Sequence, residues 1–241
     1  MKLCLCFLDK KMSKDRFSFY KEYPKSCDIK DFWGQVKRTV NGKPVSQAQI
    51  DMIVNAVINE LDLRPNDRLL DICCGNGALS TLLFDQCEGG LGVDFSEYLI
   101  SIAKKYFSHR PTHEYIFVDA VDFCCTPSKP ELFTKALCYG SFSYIEEERA
   151  ELLLQNLNKN FPNLSRVFIG NTPDKALVNE FFAKDSYDQS SISDPSSAIG
   201  IWRTSSDFAS LANRCGWKAQ IKKMPAAYYA SHYRYDVILI K

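Results

Sequence analysis

Apolar positions recur along this chain in two rhythms, and the rhythm alternates. From Ile50 the residues Ile53, Val54, Val57, Ile58 and Leu61 fall at helical spacing behind Ser46, which predicts an amphipathic helix ended by Pro65-Asn66. Short continuous apolar or β-branched runs follow. They predict strands near residues 68–72, 90–93, 115–118, 134–139, 166–170, 218–222 and 235–240. Between them, helical spacing predicts helices near 78–86, 97–107, 146–160 and 206–215. Seven strands interleaved with helices call for an α/β fold with a doubly wound, mostly parallel sheet. Only a short stretch without helical pattern separates the last two strands, so the final strand is expected to run antiparallel.

Two regions break the alternation. Residues 1 to about 30 are charged and aromatic without a clear period, which predicts an extended or partly mobile arm. Together with the first helix they form an N-terminal unit, residues 1–60, ahead of a core spanning 61–241. Residues 171–203 are rich in Ser, Asp and Pro. They leave the fifth strand at its carboxyl end, where open α/β sheets bind ligands, so this insertion is expected to act as a lid over a substrate.

Composition narrows the class. At 241 residues, with 46% hydrophobic and 24% charged residues, the chain fits one soluble domain. The net charge of +1 gives no global field for nucleic acid or an anionic membrane, so neither is expected as a partner. No run approaches the roughly 20 apolar residues of a membrane span. Met1 to Leu8 is too short for a signal peptide, and Met12 is a second candidate start. Ten cysteines without a C-x-x-C spacing, several inside apolar strands, point to a reducing cytoplasm and no disulfide framework. With three histidines in all, a zinc site has little to be built from, and no metal is expected.

The chemistry is concentrated in residues 68–80, Arg-Leu-Leu-Asp-Ile-Cys-Cys-Gly-Asn-Gly-Ala-Leu-Ser. A buried strand carrying Asp71 runs into a turn with Gly75 and Gly77, and a helix starts at Ala78. That order brings backbone N–H groups up to a ligand. A second strand ends in Asp94, seventeen residues after Gly77, where such folds place an acid on ribose hydroxyls. Ser80 stands where a dinucleotide fingerprint has its third glycine. Asp71 at the mouth of the loop would repel a pyrophosphate and suits a ligand with a cationic end.

This stretch resembles motif I of the class I S-adenosylmethionine (SAM) methyltransferases, Asp/Glu-x-Gly-x-Gly-x-Gly, with Cys73 in place of the first glycine. The resemblance implies a Rossmann-like methyltransferase fold, SAM as cofactor and S-adenosylhomocysteine as product. It puts Asp71 near the ammonium of the bound methionine, Gly75 and Gly77 against the cofactor, and Asp94 on its ribose. Phe95 offers an apolar face to the adenine, and Asp119 with the Ala120 backbone is expected at the adenine amino group and ring.

The fourth strand ends Cys138-Tyr139-Gly140-Ser141-Phe142-Ser143-Tyr144, the place that faces the transferred methyl in such enzymes. It lacks the Asn/Asp-Pro-Pro-Tyr/Phe of base amino-group methylation, and no Pro-Cys occurs for cytosine C5 chemistry. It also lacks the acids that hold magnesium in catechol-type enzymes. What remains resembles metal-independent enzymes acting on a small polar molecule, more readily at oxygen than at nitrogen, with Tyr139 as cofactor contact and catalytic candidate. An oxygen acceptor gains from a general base. His109 and His113 fall at the wrong end of the sheet, which leaves His232, entering the last strand among Tyr229, Tyr233 and Arg234. Lys37, Arg38 and Lys43 precede the core and are candidates for an anionic group. Two rival readings stay open: a SAM-fold binding protein without catalysis, and a tRNA or rRNA methyltransferase.

Overall fold

The computed structural model describes residues 18–182 and 187–241. The candidate starts Met1 and Met12, Cys4 and Cys6, the first part of the expected arm, and Asp185 and Ser186 of the insertion lie outside the described residues. The strands are β1 Thr39–Val40, β2 Lys43–Pro44, β3 Arg68–Ile72, β4 Gly89–Asp94, β5 His113–Phe117, β6 Lys135–Tyr139, β7 Arg166–Pro173, β8 Lys218–Lys223 and β9 Arg234–Ile240. The helices are α1 Ser18–Glu22, α2 Phe32–Gln35, α3 Gln47–Leu61, α4 Ala78–Phe84, α5 Glu97–Phe107, α6 Ala120–Cys125, α7 Glu147–Asn160, α8 Val178–Phe181 and α9 Ser205–Arg214.

Seven strands form one sheet in the order β5-β4-β3-β6-β7-β9-β8. The five from β5 to β7 run parallel, and β9 enters antiparallel between β7 and β8. The strand order reverses between β3 and β6, which opens the ligand crevice at their carboxyl ends. This is the doubly wound, Rossmann-like sheet that the alternating pattern predicts, with the final strands antiparallel.

Alternate residues of each central strand face opposite layers. Ala136 and Cys138 pack with Leu153, Leu154, Phe208 and Trp217 of the layer built on α6, α7 and α9. Leu137 and Tyr139 pack with Ile53, Val57, Leu83 and Ile100 of the layer built on α3, α4 and α5. Burial on both faces explains why these strands read as apolar runs and not as alternations.

The N-terminal region departs from expectation. Residues 18–35 are not an extended arm: they form α1, a 3₁₀ turn over Tyr23–Ser26, and α2. A small hairpin, β1 with β2, follows. Ser46 precedes α3 in extended backbone, but its side chain makes no capping bond. The short helix α6 is also absent from the sequence reading, because six residues are too few to show a period.

The stretch 171–203 begins as β7 itself, which runs on through Pro173. Asp174 and Arg203 meet in a bridge that closes the base of the insertion. Phe181 and Phe182 pack against Trp202, which also meets Tyr233, and Tyr187 stacks on Phe182. The Ile201 N–H donates to the Ser143 carbonyl (2.7 Å), tying the insertion to the end of β6.

Candidate active site

The turn after β3 keeps a glycine-loop shape despite Cys73. Cys73 itself sits at φ +59°, the left-handed region that glycine enters freely and an L side chain enters with strain. The backbone therefore preserves the loop, and its thiol lies beside Cys138 on β6, whose bond and burial push the Cys73 thiol well up. Gly75 and Gly77 are also left-handed, at φ +59° and +79°. A Cβ on Gly75 would come within 2.9 Å of Val36, and one on Gly77 within 2.8 Å of Tyr115. Glycine is required at both points for backbone shape and for close approach.

Two buried acids flank this loop. Asp71 is 3% exposed, and its Oδ2 accepts from the Ser80 hydroxyl at 2.5 Å. Burial raises its carboxyl to about 7, against the pull of Ser80 and of the Arg38 guanidinium, while Asp94 adds to the rise. Asp94 is 5% exposed and accepts from the Gly75 N–H (2.9 Å) and the Ser96 N–H (2.8 Å). Burial raises it to about 6 in spite of those bonds. Backbone donors thus hold the Asp94 carboxylate, whose two oxygens together offer about four acceptor sites, leaving capacity for a hydroxyl donor.

Asp119 has structural work of its own. It caps α6 by accepting from the Val121 and Asp122 N–H groups, and it pairs with Arg149 at 2.5 Å. It stands at the carboxyl end of β5, beside Ala120 at the start of α6. Phe95 follows Asp94 at the same edge, with the Lys21 ammonium of α1 at 5.8 Å from its ring centroid. Asp71, Gly75, Gly77, Asp94, Phe95, Asp119 and Ala120 therefore all stand along the carboxyl edge of β3, β4 and β5.

The N-terminal segment covers that edge through a link the sequence reading missed. Asn76, 1% exposed in the loop, donates to the Phe32 carbonyl (2.7 Å) and to Gln35 Oε1 (2.9 Å). Gln35, fully buried, donates in turn to the carbonyls of Asp28 and Ile29. The only signal was an Asn between two loop glycines, which is equally an ordinary turn residue. Behind this clamp, Arg38 turns inward, its guanidinium 5.4 Å from the Trp33 ring and 5.2 Å from Tyr139. Lys37 instead lies 3.7 Å over Tyr23, and Lys43 is exposed.

Tyr139 ends β6, 7% exposed, with its hydroxyl 3.0 Å from that of Tyr228. Burial and the nearby Asp236 push its phenol far above the ordinary range, so it is neutral at physiological pH. Asp236 on β9, raised to about 7 by burial, accepts from the Asn171 N–H at 2.8 Å. At the ends of β7 and β9 the buried Asn171 Oδ1, Thr172 Oγ1 and Arg234 Nε have no hydrogen-bond partner among the described residues. His232 is exposed in the turn before β9, its ring against Tyr233. Tyr139 and these groups share one edge of the sheet with the glycine loop, whereas His109 and His113 lie at the opposite edge, where β5 begins.

The arrangement fits SAM. The loop can bring its backbone up to an extended ligand at Gly75 and Gly77, Asp71 and Arg38 offer opposite charges to an amino acid zwitterion, and Asp94 offers acceptors to a diol. Such a sheet, with its crevice at the β3/β6 switch and acids at the ends of β3 and β4, is the class I methyltransferase fold. Residues 69–160, which hold the loop, Asp94, Asp119 and the end of β6, match the family model described as a methyltransferase domain.

Solved structures agree in fold. Magnesium protoporphyrin IX methyltransferase (ChlM) from Synechocystis PCC 6803, with bound SAH, superposes with a TM-score of 0.61 at 13% identity, covering 93% of this chain and 97% of its own. DhpI in complex with SAM and HEP gives 0.64 at 12% identity, covering 98% and 100%. A methyltransferase in complex with the Haloferax volcanii Trm112 methyltransferase activator gives 0.62 at 12% identity, covering 91% and 97%. No curated protein sequence matches the chain. Among the described residues, no helix is long and apolar enough to cross a membrane.

Proposed function

We propose that this protein transfers the methyl group of SAM to an oxygen of a small polar acceptor, without a metal at the reacting centre. The observation that carries the acceptor's polarity is the set of buried, unpartnered atoms Asn171 Oδ1, Thr172 Oγ1 and Arg234 Nε beside the end of β6. Buried polar atoms without partners are costly, and a hydrogen-bonding ligand relieves that cost. The Asn171 amide nitrogen is 3.6 Å from the point where a Gly140 Cβ would stand, so these groups adjoin the strand end that faces the reacting methyl in similar enzymes.

Bound SAM supplies an activated methyl on a sulfonium. The protein's own part is alignment, which alone is worth roughly 7–11 kcal/mol of barrier. Asp71 and Arg38 hold the zwitterionic end, Asp94 the ribose, and Asp119 with Ala120 the adenine. Tyr139, kept neutral and fixed by Tyr228, acts as a hydrogen-bond donor and not as a base. The acceptor oxygen attacks the methyl carbon as the carbon–sulfur bond breaks, the bonding pair stays on sulfur, and the hydroxyl proton passes to His232. The insertion 171–203, anchored at Ser143 and Trp202, shields this exchange from water.

The test is SAH formation across matched hydroxyl and amine acceptors, with and without exhaustive chelation. Turnover on hydroxyl compounds that survives chelation is expected. Turnover restricted to amines, or lost with EDTA and restored by magnesium, would overturn the reading.

A further inference from the structure

At the edge of the sheet opposite the glycine loop, three elements end together: α4 at Phe84, α5 at Phe107, and the start of β5 at His113. Asp85, directly after α4, faces both histidines of the turn His109-Arg110-Pro111-Thr112-His113. Its Oδ1 lies 3.5 Å from His109 Nε2 and 3.8 Å from His113 Nε2. One ligand atom from each of the three residues lies within 4.8 Å of the other two. Zinc bound tetrahedrally at 2.0–2.2 Å holds neighbouring nitrogen and oxygen donors about 3.4 Å apart, so two of the three donor spacings are already close to that value.

His113 supplies the second observation. Its side chain is fully buried, yet among the described residues neither ring nitrogen makes a well-formed hydrogen bond, the Phe107 backbone being the one hydrogen-bonding neighbour that bears on the ring. A buried imidazole with both nitrogens unsatisfied is costly. Its Nε2 is aimed at the Asp85 carboxylate and the His109 ring, which meets the His113 ring edge-on at 4.7 Å between centroids. Phe84 packs against the other side of the His113 ring, so the ring has little freedom to turn away.

The turn is also pre-set. Pro111 fixes one torsion, the His113 N–H donates to the Arg110 carbonyl, and the Thr112 carbonyl accepts from Gly90. Two histidines with three residues between them on a rigid turn match the spacing of zinc-ligating pairs. The carboxyl end of α5 adds partial negative charge. Arg110 is the competing cation, with its Nε 3.6 Å from the same Asp85 oxygen; it is more than half exposed and free to swing into solvent.

We propose that Asp85, His109 and His113 form a binding site for one divalent transition metal of the zinc class, with water completing the tetrahedron. Lying at the far edge of the sheet, the metal staples α4, α5 and β5 together and takes no part in methyl transfer. The proposal stands apart from the assignment of acceptor or activity. Few as the histidines are, two of them meet here, and Asp85 supplies the third donor.

The test is calorimetric titration of the full, chelator-stripped and reduced chain with zinc chloride, and spectroscopy of its cobalt(II) complex. One ion per chain is expected, with a tetrahedral cobalt spectrum lacking a thiolate charge-transfer band and a raised melting temperature. Asp85→Asn and His109→Gln change exposed residues and should each weaken binding at least tenfold while the free chain melts as before. His113→Gln, which is buried, serves as the harsher variant. Absence of saturable binding, a cobalt spectrum with thiolate ligation, or unchanged affinity in both exposed variants would overturn the proposal.

Discussion

With the SAM ammonium beside Asp71, as proposed, cofactor binding becomes proton-linked, and the size of the effect can be worked out. In the free protein, burial lifts its carboxyl from the ordinary carboxylate range to about 7. An ammonium placed beside it requires the ionised form, so below pH 7 binding must first expel a proton. The apparent affinity for SAM should therefore fall about tenfold for each pH step below 7, reaching about 100-fold below its plateau at pH 5. Above roughly pH 7.8 the α-amino group of SAM loses its own proton, which closes the plateau on the alkaline side. At pH 6 Asp71 is about nine-tenths protonated, so calorimetry in buffers of different ionisation enthalpy should show close to one proton released per SAM bound. Asp71→Asn should bind weakly and without this slope. The free protein should respond with the opposite sign. An acid whose folded value lies above its unfolded one stabilises the fold below about pH 4, and that stability is lost as the pH rises through 7. A wild-type affinity that is flat from pH 5 to 7, with no proton released, would refute the placement of the ammonium at Asp71.

Asn76→Ala should cost about 1–3 kcal/mol of stability, because the buried Gln35 Oε1 and the part-buried Phe32 O lose their donor. Denaturant titration measures it, and proteolysis after Lys37 and Arg38 should quicken; cleavage no faster than wild type would detach the clamp from the loop. Asp94→Asn should weaken SAM binding by about 1.5–3 kcal/mol while one carbonyl oxygen still holds the loop, and unchanged affinity in a folded variant would remove Asp94 from the cofactor. His232→Ala should cut turnover on an alkyl hydroxyl acceptor by about 100-fold with SAM affinity intact. Near-normal turnover would leave alignment as the whole of the catalysis.

The local order of the cofactor half was legible because it is written in consecutive residues. An apolar strand, Asp71, two glycines and a helical run can fold in few other ways, and Asp94 at the next strand end follows from the same unit. The sheet's alternation was legible for the same reason. Even Cys73, which breaks the glycine pattern, proved compatible, because one strained residue costs only about 1–2 kcal/mol.

What depends on residues far apart could not be read. That Asn76 is the latch of the N-terminal segment requires Phe32 and Gln35 to arrive from forty residues upstream, and short polar helices carry no period to announce them. Arg38, Lys37 and Lys43 are alike in sequence; only the course of the β1–β2 hairpin decides that Arg38 turns inward. Asp119 read as an adenine contact, and only the fold shows that it also pairs with Arg149, brought in by α7. Nor could spacing reveal Asp85 beside His109 and His113, since they belong to different helix and strand ends that meet only when the parallel sheet closes. Sequence fixes what each segment is, because local sterics and periodic burial act over a few residues. The tertiary structure decides which side chains share a site, because burial raises or silences a group only once its distant neighbours are in place.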